Sequence, residues 1–178
     1  GGTTEVAIIS RFTVACSESL RVAGDEANDA VASYVRREHQ INISESMAEV
    51  IKIKIGSAVP LKKPLELKLR GKDITTNMPK VVTLTDTEIR HAMKEPTLAI
   101  VEAVRRVLEK ASPDLASDVA DNGIWLAGGG ALLKGLRLLV HQATGLDINK
   151  AEDPLRAVIR GAGAATESFD YYRDVFVN

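Results

Sequence analysis

Leu126-Ala127-Gly128-Gly129-Gly130-Ala131-Leu132-Leu133-Lys134-Gly135 decides how this chain folds. Just upstream, Asn122-Gly123-Ile124-Trp125-Leu126-Ala127 reads as a short buried strand. Downstream, Leu132, Leu133, Leu136, Leu139, Val140 and Ala143 recur at helical spacing, and Gly145 follows as a C-cap. The spacing predicts one helix over 131–143. Three consecutive glycines thus lie at a strand-to-helix turn. There the backbone reaches positive φ, no Cβ projects, and the first helical turn offers unpaired N–H groups. A nucleotide can lie flat against such a main chain, although a tight turn with no ligand satisfies the same residues.

Two familiar glycine motifs do not fit. A P-loop needs Lys then Ser or Thr after its last glycine, but Leu136 follows Gly135. A dinucleotide fingerprint needs glycine three places after Gly130, where Leu133 stands. A second glycine site opens the chain: Gly1-Gly2-Thr3-Thr4 runs into the β-rich Glu5-Val6-Ala7-Ile8-Ile9-Ser10. Glycines permit close backbone approach and the threonines add hydroxyl donors, a combination suited to phosphate oxygens and equally compatible with a plain hairpin turn.

Taken together, the two sites resemble the phosphate- and adenosine-binding loops of the superfamily containing actin, sugar kinases and heat-shock chaperone ATPases. Further segments narrow the resemblance to the MreB family of bacterial actin homologues. These are Arg21-Val22-Ala23-Gly24-Asp25-Glu26, the run Ala48-Glu49-Val50-Ile51-Lys52-Ile53-Lys54-Ile55-Gly56-Ser57-Ala58, Asp153-Pro154-Leu155 and Arg160-Gly161-Ala162-Gly163. They fall in the family's order across residues 1–165. Residues 11–19 and the tail from Ser168 match poorly.

The resemblance implies an α/β fold: a ribonuclease-H-like, actin-type ATPase domain with an inserted small α+β subdomain. Residues 1–23 and 93–178 would form the inner subdomain and 24–92 the outer one. The first actin-like domain would be absent, and the chain would be a fragment. By the same resemblance Gly1, Gly2, Thr3 and Thr4 would hold β/γ-phosphates, with Gly24 beside them. Glu49 would accept from ribose hydroxyls and Lys52 would lie along the base. Gly128, Gly129, Gly130 and Ala131 would receive the adenosine. The cofactors implied are ATP and Mg²⁺ in a full-length parent that hydrolyses slowly, whereas this fragment would lack the catalytic residues. On residues alone, Glu49 and Lys52 are also an i,i+3 helix ion pair.

The implied role is an ATP-dependent filament that organises cell-wall (peptidoglycan) synthesis and rod shape, cytoplasmic and peripheral at the inner membrane. Its partners would be further copies of itself and proteins of the MreC and RodZ type, with membrane contact through the absent domain. A chaperone ATPase or a small-metabolite kinase of the same superfamily is the alternative. No segment offers a kinase's catalytic aspartate and substrate pocket, and a chaperone would continue into a β-rich peptide-binding domain.

Composition agrees with a single cored unit or two small ones. The chain has 178 residues, 45% of them hydrophobic, and a net charge of −1, so no global field recruits nucleic acid. Residues 50–80 nevertheless carry a local balance of +6. That lysine-rich stretch reads as a solvated face guarding strand edges, or as a docking surface for an acidic partner such as the next protomer. Val59, Leu61 and Met78 are expected exposed beside its lysines. Cys16, the only cysteine, alternates with Phe12 and Val14 as a half-buried strand position and fits a reducing compartment. No apolar run reaches the roughly 18–20 residues that span a bilayer, and His39, His91 and His141 lack metal-ligand spacing.

The remaining periodicities predict strands over 5–10 and 13–21, a helix capped by Asp25 to about Glu38, and a helix from Ser44 to Gly56. A strand pair over 65–69 and 80–84, a short helix capped at Thr85 or Asp86, and a helix opened by Pro96 follow. Pro113–Val119 is expected to make one or two helical turns. A strand over 146–149 and a helix over 153–167 close the chain, so that two βα units favour parallel pairing.

Overall fold

The alternation of Val6 and Ile8 with exposed neighbours produces β1 (Thr4–Ser10) in the computed structural model, which describes residues 1–11 and 13–169. β1 turns back onto β2 (Thr13–Leu20) in an antiparallel pair running from Thr4↔Leu20 to Ser10↔Thr13, with a bulge at Ile8/Ile9. Phe12 lies outside the described residues. Cys16 is half-buried, as its alternation requires.

Helix α1 (Gly24–His39) follows, but Asp25 is not its cap. Ala23 holds that position, and the Glu26 carboxylate accepts the Ala23 N–H at 2.8 Å. That bond holds the Glu26 carboxyl below the usual carboxylate range. Ser44 caps α2 (Glu45–Ile55) by accepting the Met47 N–H at 3.3 Å. β3 (Glu66–Lys72) and β4 (Pro79–Thr85) pair antiparallel, and Thr85 with Glu88 forms a capping box at α3 (Asp86–Ala92). Val31 and Val35 of α1, Ala48, Ile51 and Ile55 of α2, Leu69, Leu84 and Ile89 bury together as one core.

A second core lies beyond it. Helix α4 begins at Lys94, two residues before Pro96, and runs to Glu109; its Val101 and Val104 pack on Leu136, Val140 and Ile148. Leu133 touches both cores. Helix α5 (Pro113–Asn122) is longer than its weak pattern suggests. The Ser112 cap and Pro113 at the first turn start it well, and none of its residues is buried, so burial left no periodic signature.

β5 (Ile124–Leu126) and β6 (Ile148–Lys150) pair parallel, as two βα units require. Among the described residues the strands form three two-stranded sheets. β1 and β5 flank an apolar cleft of about 400 Å³, lined also by Val107 and Leu108, instead of bonding to each other.

The helix expected over 131–143 is broken. A 3₁₀ turn spans Gly129–Leu132, Leu133 is extended, and α6 runs over Leu136–Thr144. The break sits at Gly135, whose φ of 77° is left-handed and whose missing Cβ leaves room for Val59. Val59 and Leu61 are accordingly half-buried rather than exposed, while Met78 is exposed as expected. The last helix, α7 (Ala157–Glu167), starts later than Asp153, because residues 153–156 form a turn attached to the glycine loop.

Candidate nucleotide site

Gly1, Gly24 and Lys52 converge although they are far apart in sequence. The Gly24 N–H donates to the Gly1 carbonyl at 3.0 Å, and Lys52 Nζ donates to the Gly24 carbonyl at 2.8 Å. A Cβ on Gly24 would stand 3.4 Å from that ammonium and 3.5 Å from the Gly1 oxygen. A side chain there would thus make ordinary van der Waals contacts with both groups, so the corner is closely packed without being closed to a Cβ. Asp25 belongs to the same corner, with Oδ2 3.2 Å from where a Gly2 Cβ would lie. Thr4 does not offer its hydroxyl proton to a ligand, because Oγ1 donates to the Val22 carbonyl at 2.8 Å. Thr3 is exposed and remains the donor beside the turn.

The i,i+3 ion pair between Glu49 and Lys52 is not made. Lys52 reaches across to α1, and Glu49 is exposed with no hydrogen bond or ion pair among the described residues. The ammonium thus stands at the Gly1–Gly24 corner. Glu49, one turn earlier on α2, is left as a free acceptor for hydroxyl groups.

Gly128 has φ 76° and donates its N–H to the Pro154 carbonyl at 2.7 Å. Gly129 and Gly130 carry no positive φ, so the left-handed requirement rests on Gly128 alone within this run. Cβ atoms on Gly128 and Gly130 would meet nothing within 4 Å, and one on Gly129 only Leu155 Cδ2 at 3.8 Å. By contrast, Val59 would collide with a Cβ at Gly135 and the Asp147 carbonyl with one at Gly123. Packing against this chain explains Gly123 and Gly135 but not the triple run. Ala131 differs from its neighbours: it is buried, and its N–H bonds back to the Gly128 carbonyl, so it shapes the turn.

The two glycine segments are joined through α2. Lys134 Nζ donates to the Ile53 and Lys54 carbonyls at 2.7 and 3.0 Å, neutralising the negative end of that helix. Its own carbonyl accepts the Ala58 N–H at 2.7 Å, and Ser57 pairs with it in a parallel bridge. Lys52 at one end of this scaffold and Lys134 at the other hold α2 between the phosphate-like turn and the glycine loop. Lys134 was not legible as a site residue, because its partners lie about eighty residues away and no local spacing records them.

Such a site can hold an anion at Gly1, Gly24 and Lys52, accept hydroxyls at Glu49, and receive a flat ring on bare backbone at Gly128–Gly130. Among the described residues no group of His, Cys, Asp and Glu is arranged to hold a metal ion by itself, and no helix is long and apolar enough to cross a membrane.

Comparison with known proteins places the chain in a family. The profile of the MreB/Mbl protein family matches residues 1–174. The cell shape-determining protein MreB of Escherichia coli K12 is 45% identical over 97% of this chain and 50% of its own length. The cell shape-determining protein Mbl of Bacillus subtilis is 35% identical over 96% of this chain and 51% of its own. The crystal structure of MreB5 of Spiroplasma citri bound to AMPPNP superposes with a TM-score of 0.91 at 33% identity, over 98% of this chain and 52% of that one. The chain spans about half the length of these relatives. With a family profile matched over residues 1–174, a relative 45% identical over 97% of the chain and the same fold, this chain belongs to the MreB/Mbl family of actin-like proteins.

Proposed function

We propose that this chain is one half of an ATP-gated, actin-like filament protein that determines cell shape. One observation carries the reading: three successive glycines open onto space that the described residues leave free, on a loop bolted by Lys134 to the helix bearing Glu49 and Lys52. Here ATP would place its phosphates at Gly1, Gly2, Thr3 and Gly24, with Lys52 beside them, and its ribose at Glu49. Its base would lie on Gly128–Gly130. A Mg²⁺ ion bound with the phosphates would neutralise their charge, and Asp25 stands at that corner. Phosphoryl transfer depends chiefly on positioning and electrostatics, and this chain supplies positioning. A slow ATPase belongs to the longer protein. The AMPPNP held by the Spiroplasma relative supports the ligand class.

The two cores support a division into an inner subdomain, 1–23 and 93–178, and an outer one, 24–92. Nucleotide bound across α2 would touch both. We assign self-association to head-to-tail contacts, which are open-ended and so build filaments. The exposed Lys62, Lys63 and Met78 of the basic stretch form part of the joint. Partners of the MreC and RodZ type, support of peptidoglycan synthesis and a place at the cytoplasmic side of the inner membrane complete the proposal.

Gly129→Val in the longer protein tests it. The new side chain would enter the base position, its Cβ meeting only Leu155 Cδ2 at 3.8 Å. The expected result is loss of ATP binding and of ATP-dependent pelleting, with circular dichroism unchanged. Undiminished ATP affinity in the folded variant would overturn the assignment.

A further inference from the structure

Where α3 meets α4, a cleft of about 340 Å³ opens between the two cores. None of the residues assigned above to the nucleotide lines it, and neither does any carboxylate. Arg90, His91 and Lys94 contribute cationic or N–H groups from one side. Ser57 lines the cleft as well, and Ala58, Leu98 and Leu139 supply its apolar lining.

The polar groups are not equally available. Arg90 is already engaged, with Nη1 on Asp86 Oδ2 at 3.2 Å and Nη2 on Thr87 Oγ1 at 3.3 Å. Asp86 is buried and neutralises it. Lys94 has no hydrogen bond or ion pair among the described residues, and the His91 ring meets only the edge of Tyr34 at 6.4 Å. The Ser57 hydroxyl is stranger: the residue is 1% exposed and its oxygen has no hydrogen-bond partner. A buried hydroxyl without a partner is unfavourable, and in folded proteins such groups mark bound water, ions or functional positions. Leu98, 40% exposed, is a large apolar side chain left open beside these donors.

We propose that this cleft binds a small organic monocarboxylate with a short apolar chain. One unpaired ammonium and one ring N–H match a single carboxylate group, with the buried, unpartnered Ser57 hydroxyl in the wall behind them. A phosphate dianion would call for a second free cation, and Arg90 is committed. The tail then covers Leu98 and Leu139, and the volume suits a small ligand. The Ser57–Ala58 segment is itself bonded to Lys134, so the bound molecule rests on the strut that holds α2.

Titration of the ¹⁵N-labelled chain with hexanoate, followed by amide chemical shifts, tests the proposal. Acetate has the charge without the tail, and 1-hexanol the tail without the charge. Hexanoate should give saturable shifts at Ala58, His91, Lys94 and Leu139, with both controls binding at least about tenfold more weakly, the scale of one charge-assisted bond or of two buried methylenes. Lys94→Met, at an exposed position, should weaken hexanoate by a similar factor while leaving the spectrum native. Equal binding of 1-hexanol and hexanoate would refute the carboxylate. Shifts that never saturate, or that survive Lys94→Met in full, would refute the site.

Discussion

Replacing Lys134 by Met removes the ammonium that ties the glycine loop to α2 while keeping the aliphatic stem. Two hydrogen bonds disappear, at 2.7 and 3.0 Å, both onto carbonyls in the last turn of the helix. Bonds from a charged donor contribute about 1.5–3 kcal/mol each when buried. Here they are exposed, and water can take over the freed carbonyls, so most of that is screened. Adding a helix-end charge effect of about 0.3–1 kcal/mol leaves a total near 1–2 kcal/mol. For a chain of this size that corresponds to a fall in Tm of roughly 3–6 °C. Thermal unfolding by circular dichroism measures it directly. ATP binding by the longer protein should weaken in parallel, since α2 and the glycine loop would no longer be held in register. Lys134→Arg, which keeps a cation at that position, should restore part of both losses. A Tm unchanged within about 1 °C for Lys134→Met would mean that the contact adds nothing beyond solvation, and the strut argument would fail.

Three further outcomes are expected. Gly135→Ala combines a left-handed φ with a collision against Val59, and should destabilise by about 2–4 kcal/mol in urea titration; a neutral result would show that the 133–135 break relaxes freely. Glu49→Gln in the longer protein should weaken ATP binding and change stability by less than about 0.5 kcal/mol, because the residue is exposed and unpartnered here; a large loss of stability with affinity intact would make it a helix residue only. Asp73, in the turn between β3 and β4, is held well below the ordinary carboxylate range by the Thr76 N–H, then by Lys80 and the Thr75 N–H. Its folded pKa lies under the unfolded value of about 3.9, so its stabilisation is complete above that value and is lost as pH falls toward the folded one. The urea-midpoint gap between the unmodified chain and Asp73→Asn should therefore close as pH drops below about 4, and a gap that persists undiminished at acid pH would contradict the assignment.

Local sequence settled what depends on local physics. The caps at Ser44 and Thr85, the alternation through β1 and β3, and the helical faces of α1, α2 and α4 each leave a period or a punctuation mark within a few residues. The glycine run was legible for the same reason, since three consecutive glycines between a strand and a helical pattern mark a turn within a few letters. Contacts between distant segments leave no such mark. That Lys52 turns to Gly24 rather than to Glu49 depends on how α2 lies across the start of α1, a matter of packing between Ala48, Ile51 and the α1 valines. The halt at Gly135 was hidden because Leu136, Leu139 and Val140 keep helical spacing through it, while the cause, Val59, lies in another segment. Ala131 looked like a fourth small residue of a ligand loop, and only the folded turn shows it buried. Periodicity records which face of an element is apolar, whereas the site depends on where those faces bring Gly1, Gly24, Lys52 and Lys134, and only the tertiary structure decides that.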